Sequence, residues 1–178
     1  MQALYIDDEE QGLAPETSHP RFVAVAREDF WYDCADDFSP FGNDTGNDTL
    51  RYLEEWLTEY GADANVADFV LNLLHEQWGL DKDYVTIVDA GTISQLHYSD
   101  SLHINDVQDQ AIIAAALGQF KITGEVGDEI RELAMFAFRR QLAIAKAAGT
   151  DTNNSFREAV PQYIERMQKM HEVLQKWT

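Results

Sequence analysis

Apolar residues recur every three or four positions along much of the chain, the spacing that lines one face of an α-helix. Leu50, Leu53, Leu57 and Tyr60 mark one such face, closed by Gly61. Val66, Phe69, Val70, Leu73, Leu74 and Trp78 mark a second, which starts near Asn65 and is closed by Gly79. The short link between them predicts an antiparallel hairpin. Ala111 to Leu117 differs, because seven apolar residues in a row make a helix apolar nearly all round, which belongs at the centre of the fold. Asn105 to Gln108, just ahead of it, has the spacing of a capping box. Asp128 opens a further helix with Ile130, Leu133, Ala134, Ala137, Gln141 and Ile144 on one face, ending near Gly149. Ser155 and Glu158 form another capping box. Pro161 has no N–H to give a helix interior, so the last helix is expected to restart there, with Tyr163, Met167, Met170, Leu174 and Trp177 inward.

The rest of the chain is less periodic. Residues 1–18 are polar and acidic, with Gly12 and Pro15, and are expected to form a loosely packed N-terminal arm. Ser18-His19-Pro20 reads as a helix entrance capped by Ser18, leading through Phe22, Val25, Ala26 and Asp29. Phe30, Trp31 and Tyr32 form an aromatic cluster expected to pack on the body. Between residues 80 and 104, Tyr84-Val85-Thr86-Ile87-Val88 has β propensity and leaves room for one short β-strand near residues 84–88, while Thr92 to Tyr98 suits one or two helical turns. The pattern as a whole predicts a mainly α fold, a single-domain bundle of about five to six helices over residues 1–178.

Composition narrows the function classes. A chain of 178 residues with 45% hydrophobic positions can bury a core without a disulfide or structural metal. The longest apolar stretch is far short of the ~20 residues of a membrane helix. MQALYIDDEEQG lacks the basic and apolar regions of a secretory signal, so a cytoplasmic location is expected. The lone cysteine, Cys34, excludes an intramolecular disulfide and a cysteine zinc site. A net charge of −19 repels nucleic acid and anionic membranes. The charge is concentrated. Residues 1–48 hold twelve carboxylates against Arg21 and Arg27.

The loop DDFSPFGNDTGNDTL, from Asp36 to Leu50, carries the densest oxygen ligands, with Asp36, Asp37, Asn43, Asp44, Asn47 and Asp48 in thirteen residues. It lacks the ligand order of an EF-hand. Turn and cap chemistry accounts for much of it: Ser39-Pro40 sets a turn, Gly42 and Gly46 suit positive φ, and Asp48 or Thr49 caps the following helix. Phe38 and Phe41 are expected to anchor the loop to the core. Asp36, Asp37 and Asp44 are left without a structural duty. Elsewhere, His97 and His103 with Asp100 and Asp106 have a spacing that suits loop and cap chemistry better than a helical metal site. His75 lies beside an apolar stripe and reads as a partly buried, hydrogen-bonded histidine. Cys34 sits among Asp33, Asp36 and Asp37, which raise its pKa and make it a poor nucleophile. Phosphate-cradling, dinucleotide and nucleophile-elbow motifs are missing, and no cofactor is expected.

The run SHP, the segment EDFWYDCADDFSPFGNDTGNDTL at 28–50 and the segment DQAIIAAALGQFKITGEVGDEIRELAMFAFRRQL at 109–142 resemble the YfeS-type bacterial proteins. The positions that carry the likeness include Gly118, Gln119, Gly124, Arg140 and Gln141. That resemblance implies no activity, so function rests on the residues themselves. The first expectation is a non-enzymatic interaction protein that binds a basic protein surface through Asp33, Asp36, Asp37 and Asp44. The alternative is a divalent-metal enzyme using carboxylates of residues 33–48, with Asp36, Asp37, Asp44 and Asp48 as candidate ligands. A third is acidic mimicry of nucleic acid, which requires carboxylates at phosphate-like spacing along a surface.

Overall fold

Asn43 begins the first long helix, its Oδ1 accepting the Gly46 N–H at 2.8 Å, and helix α2 runs from Asp44 to Tyr60. It follows the single turn α1 (Pro20–Val23). In the computed structural model, which describes residues 3–81, 84–89, 91–93 and 107–176, Leu50, Leu53 and Leu57 of α2 are buried. Gly61 ends the helix at φ 94°, a left-handed conformation in which a side chain is strained. Asn65 then caps α3 (Val66–Asn72), accepting the N–H groups of Ala67 and Asp68. The helix widens into a π turn over Leu73–Gln77 before Gly79. The predicted hairpin is thus present.

Helix α4 (Asp109–Thr123) occupies the centre, with Ala111 to Leu117 entirely buried. It packs against α2 on one side and against α5 (Asp128–Thr150) on the other, while α6 (Val160–Lys176) lies along α5. Gly118 lets α2 approach α4, since a Cβ there would sit 3.0 Å from Leu53 Cδ2. Pro161 falls in the first turn of α6, the position where its missing N–H costs no helical bond. Tyr163, Met167, Met170 and Leu174 turn inward as their spacing requires. One continuous apolar core joins these elements into a single all-α domain, and the helices are close in number to the five or six expected.

Four local expectations are corrected. Tyr84 to Val88 forms no strand; Tyr84–Thr86 is a tight turn, and the described residues contain only one isolated bridge, Asp8 to Gly12. A lone extended segment has no neighbouring strand to take its backbone groups, and here the carbonyls of Val85 and Ile87 go to Arg140 instead. Second, the N-terminal arm is not loose. Tyr5 N–H bonds to Ile122 O at 3.0 Å, and Leu4, Ile6 and Leu13 pack on the core. Third, His19 rather than Ser18 caps α1, which stops after one turn, while the buried Ser18 hydroxyl donates to Ala14 O. Fourth, Ser155 and Glu158 form no cap, and turns lead into α6. The expected sites at His97, Asp100, His103, Asn105, Asp106 and Trp177 lie outside the described residues.

Candidate functional site

The acidic stretch before α2 is a braced loop. Phe41 is fully buried, and Phe38 stacks edge-on to Phe156 and Tyr163 at 5.7 and 5.3 Å between centroids. Gly42 and Gly46 have ordinary negative φ, so the expected positive-φ role is wrong. Their purpose is close approach. A Cβ on Gly42 would lie 2.2 Å from Asp36 O and 2.6 Å from Asp33 O, and one on Gly46 would lie 2.3 Å from Pro40 O. The cap is Asn43, not Asp48 or Thr49. Thr49 is buried and bonds to Thr45 O at 2.7 Å, while Asp48 faces Arg51 on the surface.

The four expected partner-binding carboxylates separate into two kinds. Asp33 Oδ1 accepts Ala35 N–H at 2.8 Å and Asp36 Oδ1 accepts Phe38 N–H at 2.9 Å, both shaping turns. Asp36 Oδ2 also faces Arg166 at 3.6 Å on α6, so it has the structural duty that its sequence position does not reveal. Arg166 lies 4.0 Å over the Phe30 ring, and Glu28 bonds to Lys169 at 2.6 Å, which ties the aromatic cluster and the loop to α6. Asp37 and Asp44 are exposed, and their carboxylates make no hydrogen bond or ion pair among the described residues. Among those residues, no three His, Cys, Asp or Glu side chains converge as a metal site requires. Cys34 is exposed at the loop's start, and burial of its sulfur followed by Asp7 and Asp33 pushes the thiol pKa up.

Two buried charge clusters were not evident from the sequence. Asp109, with no exposed surface, receives Arg140 Nε at 3.1 Å and Nη2 at 2.7 Å, Gln141 Nε2 at 2.9 Å and Gln108 Nε2 at 3.3 Å. Arg140 Nη1 then reaches Val85 O and Ile87 O, and Tyr163 OH donates to Gln141 Oε1. Burial pushes the Asp109 pKa up, opposed by Arg140. The second cluster is Lys121, also fully buried, bonded to Asp7 at 2.5 Å and Glu54 at 3.0 Å. The signal for both was a charged residue in the same helix as the unbroken apolar run Ala111–Leu117, where a buried ion must be paired. His75 fits its expected reading, with Nδ1 2.8 Å from Leu80 O; a carbonyl only accepts, so Nδ1 carries the proton.

The positions behind the family resemblance have identifiable work. Gly118 admits α2, Gln119 Oε1 accepts Gly127 N–H at 2.9 Å, and Gly124 (φ 75°) ends α4 beneath the His19 ring. Arg140 and Gln141 hold Asp109. No family model matches the chain, and no solved structure matches it. Among curated proteins, it is 33% identical over 150 residues to the Escherichia coli protein named "Uncharacterized protein YfeS". The aligned part covers 82% of this chain and 59% of that protein, so the chain spans less than two thirds of its relative's length. That extent of identity, joined to the motif positions at both ends of α4, supports a YfeS-like family for this chain.

Proposed function

We propose that the protein is a cytoplasmic interaction protein that binds a basic surface on a protein partner through the loop ahead of α2. The observation that carries this reading is the pairing of rigidity with unspent charge. Phe38, Phe41 and the glycine contacts hold the loop, while Asp37 and Asp44 leave their carboxylates in solvent. Ordered, unpaired carboxylates add no fold stability of note, but they give a partner's lysines and arginines fixed targets at little ordering cost. With a net charge of −19, attraction over the whole molecule speeds encounter and makes it salt-sensitive. Asp33 is also exposed and uses only one oxygen in its turn, whereas Asp36 contributes by keeping the loop on Arg166.

The test is capture of a partner at low salt by the protein and by the triple variant Asp33→Asn, Asp37→Asn, Asp44→Asn. A specific basic partner that releases with salt and is lost by the variant supports the reading. Binding that survives neutralisation, or the absence of any specific partner at low salt, removes it. Calorimetry with Mg²⁺ separates the metal-enzyme alternative, which requires binding that the triple variant abolishes.

A further inference from the structure

A groove at the opposite end of α2 has chemistry that the loop reading does not use. Its volume is about 350 Å³, and it lies between the turn at Ala62–Val66 and the link from α4 to α5. Gln119, 6% exposed, lines it. Because the Gly127 N–H can only donate, Gln119 must turn Oε1 toward it, which leaves Nε2 and its two hydrogens for the groove. Nε2 donates to no partner among the described residues.

One wall is the start of α5. Its N-cap is Gly127, which has no side chain to cap the helix, so the first-turn N–H groups at Asp128, Glu129 and Ile130 have no partner within it. The other wall is Asn65. Its Oδ1 caps α3 and its Nδ2 crosses to Glu129 Oε2 at 3.0 Å, so the two walls are fastened together. Residues with free donors therefore line a groove whose two walls are joined. Four exposed carboxylate residues, Asp63, Glu125, Asp128 and Glu129, also line it, on the solvent side of the buried Gln119. Arg21 faces Glu125 at 3.5 Å and Arg131 pairs with Asp128, which leaves the rim negative on balance.

Such a groove asks for acceptor oxygens inside and positive charge outside. A free oxyanion meets the donors but is opposed by the rim, and a bare cation meets the rim but not the donors. A main-chain segment bearing Lys or Arg satisfies both, its carbonyl taking Gln119 Nε2 and the α5 amides while its cationic side chain reaches Asp63 and Glu129. We propose that this groove docks a short Lys- or Arg-bearing segment of a protein partner. The inference rests on the reading of the protein as a receiver of basic surfaces, but places a contact about 25 Å from the loop, the length of the seventeen residues of α2.

The experiment is an amide NMR titration of the whole chain with the peptide Ac-Gly-Arg-Lys-Gly-NH2, run beside Ac-Gly-Glu-Glu-Gly-NH2 and inorganic phosphate. The expected result is movement of the Gln119 side-chain NH2 signals and of the Gly127 to Ile130 amides with the basic peptide alone. Gln119→Leu and Gly127→Ser each weaken that binding about tenfold. Gly127→Ser guards against misfolding as the cause. A Cβ there meets nothing closer than 3.6 Å, so its hydroxyl can cap the same amides and the melting temperature does not fall. Equal shifts with phosphate overturn the proposal in favour of a simple anion site. Shifts confined to residues 33–48 overturn it while leaving the loop reading intact, and no shift in either region removes both.

Discussion

Asp109 at the start of α4 and Asp37 in the loop ahead of α2 are the same side chain in opposite settings. Asp109 has no exposed surface and four donor groups around it, from Arg140, Gln141 and Gln108. Asp37 is exposed and makes no side-chain bond among the described residues. A buried ion that loses its partner keeps the desolvation cost without the compensating attraction, whereas an exposed ion stays solvated whatever its neighbours do. The contrast therefore separates charge used to fix the fold from charge available to a second molecule.

The largest expected effect lies on the buried side. Arg140→Met leaves the Asp109 carboxylate and the Val85 and Ile87 carbonyls without their main donor, and is expected to cost about 3–5 kcal/mol in urea unfolding. Adding Asp109→Leu to that variant removes the stranded charge, so the double variant should unfold at higher urea than Arg140→Met alone. Additive losses would show that Asp109 and Arg140 do not act as a pair.

On the loop side the largest effect comes from a glycine rather than a charge. Gly42→Ala drives a Cβ into the carbonyls of Asp36 and Asp33, and either the loop or Asn43's cap must move, at about 1–3 kcal/mol. Melting unchanged from the parent would mean that the loop is not held by that approach, and would take away the rigidity on which the proposed partner binding rests.

Lys121, Asp7 and Glu54 fall between the two settings, since the lysine is buried but both carboxylates reach solvent in part. Burial, ahead of the opposing pull of Lys121, pushes the Glu54 pKa above its ordinary 4.5. A raised folded-state pKa means the folded protein takes up this proton before the unfolded chain does. The stability from that group therefore grows as pH falls through the folded pKa toward 4.5, and is lost as pH rises again. Urea midpoints measured from pH 4.5 to neutrality should slope less in Glu54→Gln than in the parent. An identical slope would assign the pH dependence to other groups.

The helices were legible because the 3.6-residue period of α2, α3, α5 and α6 reports burial directly, and the unbroken Ala111–Leu117 run marks the central helix. Caps were less legible. Asn43, Asp44, Thr45, Asp48 and Thr49 all carry an acceptor, and the choice of Asn43 depends on the approach of Gly46 to Pro40 O, a contact that spacing does not reveal. The β propensity of Tyr84 to Val88 had no neighbouring strand to act on. The ion clusters were hidden for a different reason: Asp109 meets Arg140 across 31 positions, and Lys121 meets Glu54 across 67 and Asp7 across 114. Of the candidate site, the sequence located the acidic loop but could not separate the tethered Asp36 from the unpaired Asp37 and Asp44.

The smallest effect on stability is expected where the effect on binding is largest. Asp37→Asn removes a solvated charge from a net −19 molecule and relieves some repulsion, while Asp44→Asn gives up a modest interaction between a carboxylate and the positive end of α2. These terms oppose each other, so the double variant should unfold within about 0.5 kcal/mol of the parent. The same variant should slow association with a basic partner and flatten its dependence on salt, leaving dissociation less altered. A loss of stability comparable to that of Gly42→Ala would place Asp37 and Asp44 with Asp109 among the residues that hold the fold. Unchanged association kinetics would leave the exposed carboxylates as solvation alone.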